Sequence, residues 1–74
     1  MPVRNPFAGN LSRLRMERGF TQEQLCELAE IDRSYLQRIE SGRSNPTLQV
    51  LTRLKKALGC SWEALLRGVD DGEV

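Results

Sequence analysis

The sequence predicts an all-α protein, a single bundle of five helices. Three observations support this fold class. Apolar residues recur three and four positions apart, which is the spacing of one helix face. A capping residue precedes each of these segments, and a glycine follows most of them. The 74 residues suit one domain, which we expect to span residues 1–74 with a core at 6–67 and a flexible tail at 69–74.

The first predicted helix covers residues 6–18. Asn5 is a suitable N-cap, and Pro6 suits the first helical position because its ring presets the backbone angle. Gly19 ends the helix in the left-handed conformation that glycine tolerates. The apolar residues that share the inner face of this helix are Phe7, Leu11 and Leu14.

The second and third predicted helices are short. The second, residues 22–29, begins at a capping box of Thr21 and Gln24. Asp32 caps the third, residues 33–40, and Gly42 stops it. The apolar face of the second helix is formed by Leu25, Leu28 and Ala29, and that of the third by Leu36 and Ile39.

The fourth and fifth predicted helices follow a polar loop. Thr47 caps the fourth, Gly59 closes it, and its apolar stripe consists of Leu48, Leu51, Leu54 and Leu58. Ser61 caps the short fifth helix, which Gly68 ends. The fifth helix carries more large apolar side chains than one small core needs. We therefore expect the chain to form a homodimer through Trp62, Leu65 and Leu66.

The turn between helices two and three, Glu30-Ile31, is too short for an antiparallel return, so these helices must cross steeply. The outer face of helix three is polar and carries Arg33, Ser34, Gln37 and Arg38. Arginine suits the acceptors of guanine, and glutamine suits the edge of adenine, in a major groove that admits a helix. This pattern indicates a DNA-reading helix.

The composition argues against other classes of protein. The chain has no histidine, which removes the commonest general base and metal ligand, and no phosphate-binding glycine loop or nucleophile elbow. We expect no enzyme activity, metal or cofactor. Cys26 suits a small buried slot, with a disulfide to Cys60 as the alternative. No apolar run could span a membrane and the first residues lack a signal-peptide core, so the expected location is cytoplasmic.

Net charge is only +1, so the distribution of charge must favour DNA rather than its total. Basic residues cluster in and after helix three, at Arg33, Arg38 and Arg43, whereas acidic residues lie before it and in the tail at Asp70, Asp71 and Glu73.

Residues 7–66 resemble the helix-turn-helix family of phage repressors and Cro, the XRE family. The stretches that carry the resemblance are residues 18–25 (RGFTQEQL), 31–40 (IDRSYLQRIE), 42–48 (GRSNPTL) and 57–59 (ALG). The resemblance implies a lambda-repressor-like five-helix fold whose helices two and three form the helix-turn-helix. The segment from Asp32 to Tyr35 resembles the controller proteins of restriction–modification systems more than the phage repressors.

The resemblance also implies roles for individual residues. It implies DNA base contacts from Arg33, Ser34, Gln37 and Arg38. It implies phosphate contacts from Gln22 (or a place for Gln22 beside Arg33), Tyr35, Arg43 and Asn45. It places Arg15 and Glu40 in a partly buried ion pair between helices one and three.

Alternatives stand beside these roles. The arginines could be solvated surface residues, Ser34 could serve only the helix start, Tyr35 could be packing, Gln37 could lie too far from the bases and Gln22 could be a turn residue. Two departures from the family pattern are Glu30, where a glycine is usual, and Ser44, where a second basic residue is usual. Strain of about 1 kcal/mol or more is expected at Glu30, unless the turn differs.

The implied function is transcription regulation by a symmetric dimer on a palindromic site of double-stranded DNA, with no domain for a small ligand. The alternative is a protein-interaction module or antitoxin that uses the same fold mainly to bind protein.

Overall fold

The computed structural model describes residues 5–69 and contains, within them, five α-helices and no strand. The helices are α1 (Pro6–Glu17), α2 (Gln22–Ala29), α3 (Arg33–Glu40), α4 (Leu48–Leu58) and α5 (Trp62–Leu66). The all-α prediction is confirmed, and the predicted helix bounds hold except that α1 ends one residue early. Of the predicted tail, residues 70–74 lie outside the described residues, as does the first segment, residues 1–4.

The helices begin where side chains can cap them. Five side chains accept a hydrogen bond from a backbone amide of the first turn: those of Asn5, Thr21, Asp32, Thr47 and Ser61. Each cap satisfies an amide that has no partner inside the helix. The caps therefore explain why helices as short as five residues begin at fixed positions.

All five helices contribute to one core. Its fully buried large side chains are Leu11, Leu25, Leu36, Ile39, Leu54 and Leu65. α2 packs on α4 and α3, while α1 packs on α5 and α3. α3 is thus held from two sides, and only its remaining face is open to solvent. No helix within residues 5–69 is long and apolar enough to cross a lipid bilayer.

Two leucines of the predicted apolar faces are exposed instead. Leu28 is 55% exposed and Leu48 is 74% exposed. Leu28 lies at the edge of the α2–α4 contact, where it lines an open groove with Arg53 and Ala57. Leu48 is the first residue of α4, and the buried residues of that helix lie one and a half turns or more further on. Cys26 takes the buried place on α2, as expected.

Leu65 belongs to the core of the chain rather than to a free surface. The prediction placed it in a dimer interface, but its side chain is fully buried within this one chain. Asn10 of α1 fastens the end of α5 by donating to the carbonyl oxygens of Leu65 at 3.0 Å and Arg67 at 2.8 Å. Leu65 is the fully buried residue of the five-residue helix α5, and Ala64 and Leu66 pack beside it against the core. Leu65 therefore offers no side-chain surface to a second subunit.

Arg15 and Glu40 form the ion pair that joins α1 to α3. Arg15 Nε lies 2.8 Å from Glu40 Oε2, and the side chains are only 14% and 7% exposed. Arg15 Nη2 donates to the other carboxylate oxygen at 3.2 Å, and Nη1 donates to the carbonyl of Phe20 at 2.9 Å. A buried charge pair is stable only when its donors and acceptors are used in this way.

Candidate nucleic-acid interface

The turn between α2 and α3 depends on an unusual backbone conformation at Glu30. Its φ of 58° and ψ of 48° lie in the left-handed region, where the family pattern has glycine. The next residue, Ile31, donates its backbone amide to the carbonyl of Cys26 at 3.1 Å, which closes the end of α2. Glu30 therefore accepts the strain, about 1 kcal/mol or somewhat more, that lets α3 leave at a steep angle.

The start of α3 is organised by Asp32. Its carboxylate accepts hydrogen bonds from the Ser34 backbone amide at 3.0 Å and from the Ser34 hydroxyl. These two hydrogen bonds hold the pKa of the Asp32 carboxyl below its ordinary value, and the bond from the hydroxyl has the larger effect. Ser34 therefore serves the helix start in the free protein, which was the alternative to a base contact.

The outer face of α3 presents side chains that keep hydrogen-bond donors for an external partner. Arg33, Gln37 and Arg38 are exposed. Within residues 5–69, the ion pairs are made by other arginines, and neither Arg33 nor Arg38 takes part in one. Their guanidinium groups are free to bind an external acceptor, such as a base edge or a phosphate.

Tyr35 lies on the flank of α3, half-buried and packed against the core. The guanidinium carbon of Arg38 stands 5.7 Å from the centre of the Tyr35 ring, within the range of a cation–π contact. The packing role weighed for Tyr35 is thus present, and the ring also restrains Arg38 on the outer face.

Gln22, the first residue of α2, lies in a polar contact that the sequence did not predict. Its Nε2 donates to Glu40 Oε1 at 3.0 Å, and its Oε1 accepts from Gln37 Nε2 at 3.5 Å. The hydrogen bonds of the Gln22 side chain thus go to Glu40 and Gln37, not to Arg33, the neighbour that the alternative proposed. These partners are 15 and 18 residues away in the sequence, so only the crossing of α2 and α3 brings them together.

The loop after α3 carries the remaining predicted contacts. The backbone amide of Arg43 donates to the carbonyl of Arg38 at 2.8 Å, which holds the loop against the end of α3. Gly42 turns the chain there with a φ of +82°. Asn45 accepts a hydrogen bond from Asn5 Nδ2 at 3.3 Å. Arg43 and Asn45 are both exposed, so an external phosphate could reach them beside the outer face of α3.

A second exposed surface lies on α5. Trp62 is 39% exposed although it is a large aromatic residue, and Leu66 is half-buried. The Lys55 ammonium group lies 5.4 Å from the centre of the Trp62 ring and holds one side of it. Two of the three predicted interface residues therefore keep surface for a partner.

The geometry is that of two short helices crossing at a tight turn, and comparison with known proteins decides its family. A helix-turn-helix family model matches residues 11–65. The chain belongs to this helix-turn-helix family. It is 38% identical over 71 residues, 96% of this chain and 92% of the relative, to the uncharacterized HTH-type transcriptional regulator y4dJ of Sinorhizobium fredii.

Two further similarities fit the predicted resemblance. Over 53 residues, 72% of this chain and 37% of the relative, it is 45% identical to the immunity repressor protein of Bacillus phage phi105. Its fold is similar to that of the restriction-modification controller protein C.AhdI of Aeromonas hydrophila, with a TM-score of 0.76, 36% identity and coverage of 80% of this chain and 89% of that one. The family is one of DNA-binding transcription regulators, not of enzymes.

Proposed function

We propose that this helix-turn-helix protein is a homodimeric transcription regulator that reads a palindromic operator with α3 in the major groove. The observation that carries the proposal is the outer face of α3, where exposed Arg33, Gln37 and Arg38 stand on a helix anchored by the buried Arg15–Glu40 pair. Side chains that read bases must be held by a rigid element, and this face meets that condition.

The base contacts are assigned to the outer face of α3. Arg33 and Arg38 suit bidentate binding to guanine, and Gln37 suits adenine. Ser34 adds a contact through the lone pairs of its hydroxyl, whose proton is already donated to Asp32.

The phosphate contacts flank this face. The surface that positions the protein on the DNA backbone consists of Gln22, Tyr35, Arg43 and Asn45. Arg43 supplies the charge and the others supply neutral donors. Because Ser44 replaces a basic residue and net charge is only +1, few phosphates are neutralised, so non-specific binding should be weak and its salt dependence shallow.

Dimerisation is assigned to the exposed part of α5. Burying Trp62 and Leu66 against a symmetry mate removes apolar surface from water without disturbing the core. A two-fold dimer would set the two α3 helices about 34 Å apart, one turn of the DNA, so that both enter successive major grooves on the same side.

The experiment is duplex binding to the DNA upstream of the protein's own gene, with a scrambled duplex of the same composition as control, across a salt series. We expect tight binding of a dimer to the native duplex, at least a thousandfold above the scrambled one. Equal, weak binding to both, lost at physiological salt, would refute operator reading. That result would favour the protein-interaction module or antitoxin.

A further inference from the structure

We propose that Glu40, acting through Gln22, fixes which end of the Gln37 carboxamide faces outward, so that Gln37 selects a base with an amino group in the major groove. Glu40 and Gln22 are then positioning residues for specificity. This inference rests on the proposed function, because it concerns how α3 reads its operator.

The chain of hydrogen bonds starts at a group that can only donate. The Arg15 guanidinium has five N–H donors and no acceptor. It binds both oxygens of Glu40, at 2.8 and 3.2 Å. Glu40 is thus fixed in place as a carboxylate, which only accepts. Its Oε1 keeps one further position, and Gln22 fills it at 3.0 Å.

The next step fixes the orientation of Gln22. The two ends of a carboxamide have nearly the same shape, so its hydrogen-bond partners decide which end faces where. If Gln22 were turned over, its carbonyl oxygen would meet the Glu40 carboxylate and no hydrogen would lie between them. Nε2 of Gln22 must therefore face Glu40, and its Oε1 must face away from Glu40, on the side of Gln37.

The last step passes this orientation to Gln37. Gln22 now presents an acceptor, so Gln37 turns its Nε2 toward it, at 3.5 Å, the long end of the hydrogen-bond range. What Gln37 leaves for an external partner is its carbonyl oxygen and one N–H. Gln37 is exposed, so these atoms can reach a base.

The base edges of the major groove then determine the choice. Adenine offers an amino donor next to the N7 acceptor, which matches both free groups of Gln37. Cytosine offers an amino donor alone. Guanine and thymine offer acceptors where the Gln37 oxygen would lie. We therefore expect adenine first and cytosine second at the position that Gln37 reads.

The test measures base choice rather than total affinity. Gln37→Ala, tested on duplexes with all four bases at each operator position, identifies the position that Gln37 reads. There, the wild-type protein should prefer adenine to guanine by roughly five- to 150-fold. Gln22→Met keeps the length of the side chain and removes both ends of the amide. We expect it to reduce that preference to within about threefold.

Two controls separate positioning from other effects. Gln49→Met makes the same replacement at an exposed residue of α4 and should leave base choice unchanged. Arg43→Ala should weaken binding to all sequences alike without altering the preference at this position. Thermal unfolding of each variant shows that the protein tested is folded.

A second measurement does not need DNA. In the free wild-type protein, the side-chain NH₂ hydrogens of Gln22 should exchange with water more slowly than those of Gln49, by about tenfold or more, since one of them is bonded to a 7%-exposed carboxylate. Equal exchange rates would overturn the fixed orientation.

The outcomes distinguish this inference from the proposed function. Absence of sequence-specific binding would refute both. Three results would overturn the positioning role while leaving the regulator intact, provided that binding is sequence-specific. In the first, Gln37→Ala relaxes the base choice at no position, and in the second, the wild-type protein prefers guanine or thymine at the position that Gln37 reads. In the third, Gln22→Met keeps the full preference for adenine.

Discussion

α3 and α5 are both short helices that contribute fully buried side chains to the same core, yet their outer faces differ in apolar content. α3 buries Leu36 and Ile39 and shows solvent a row of polar and charged side chains. α5 buries Leu65 and shows solvent the apolar ring of Trp62. The inner faces of the two helices therefore build the fold, and the outer faces differ in the way that the two proposed partners, DNA and a second subunit, require.

The two helices are also anchored by different chemistry. The C-terminal residue of α3, Glu40, is held by a buried charge pair with Arg15. α5 is held by Leu65 and by neutral hydrogen bonds from Asn10 to its terminal carbonyls. Loss of the charged anchor should therefore be more damaging than loss of an exposed residue on either helix.

The largest effect is expected for Arg15→Met. It leaves Glu40 buried without its guanidinium partner, which should lower the free energy of unfolding by about 3–5 kcal/mol. Urea denaturation measures this directly. The matched control is Arg13→Met, which breaks the exposed pair with Glu17 and a 3.5 Å hydrogen bond to Asn10 Oδ1 and should cost below about 1 kcal/mol. Similar losses in the two variants would show that the buried pair does not anchor α3.

The second prediction separates the inner and outer faces of α5. Leu65→Ala should destabilise the folded chain by about 2–5 kcal/mol, because it opens a cavity in the core. Trp62→Ala should leave the monomer folded and shift sedimentation toward monomer. A stable dimer without Trp62 would move the interface elsewhere, and a Leu65→Ala variant of unchanged stability would contradict its place in the core.

Sequence alone predicted the fold well because its strongest signals are local. The capping residues and stop glycines fixed where helices begin and end, as at Thr21 and Gly59. Periodicity was less informative about burial. It shows which residues share a face, but not how far a neighbouring helix covers that face, so Leu28 and Leu48 were misplaced.

The candidate site was predicted only in part for a related reason. Residue type and helical spacing place Arg33, Gln37 and Arg38 on one face, and the structure shows all three exposed. The bonds from Gln22 to Glu40 and Gln37 depend on the angle at which α2 and α3 cross. The spacing of residues in the sequence does not determine the value of that angle. It also does not show whether Leu65 lies in the core or in an interface.

A smaller effect is expected at the turn that aims α3. Glu30→Gly removes the side chain from a left-handed backbone and should stabilise the protein by up to about 1 kcal/mol. Glu27→Gly, on the exposed side of helical α2, should destabilise it by about 1 kcal/mol. Thermal unfolding compares the two. Destabilisation by both would mean that Glu30 is not strained.

The smallest effect concerns pH. The pKa of Asp32 is lowered in the folded protein, so its contribution to stability is present above the unfolded carboxyl pKa and is lost as pH falls through the folded value. Asp32→Asn keeps an acceptor that does not titrate and should flatten the acid limb of the stability curve. Glu63→Gln, in the first turn of α5, is the control. An acid limb equally steep in wild type and Asp32→Asn would contradict the role of this cap.

The central claim, that the outer face of α3 reads DNA, is tested most directly by comparing Arg33→Ala with Arg13→Ala on operator and scrambled duplexes. Each variant removes one positive charge from an exposed side chain. We predict that Arg33→Ala loses about 1–3 kcal/mol of operator binding and relaxes the choice of one base, while Arg13→Ala leaves the operator preference unchanged. Equal losses on both duplexes from both variants would mean that Arg33 contributes only charge, and would contradict the assignment of α3 as the reading helix.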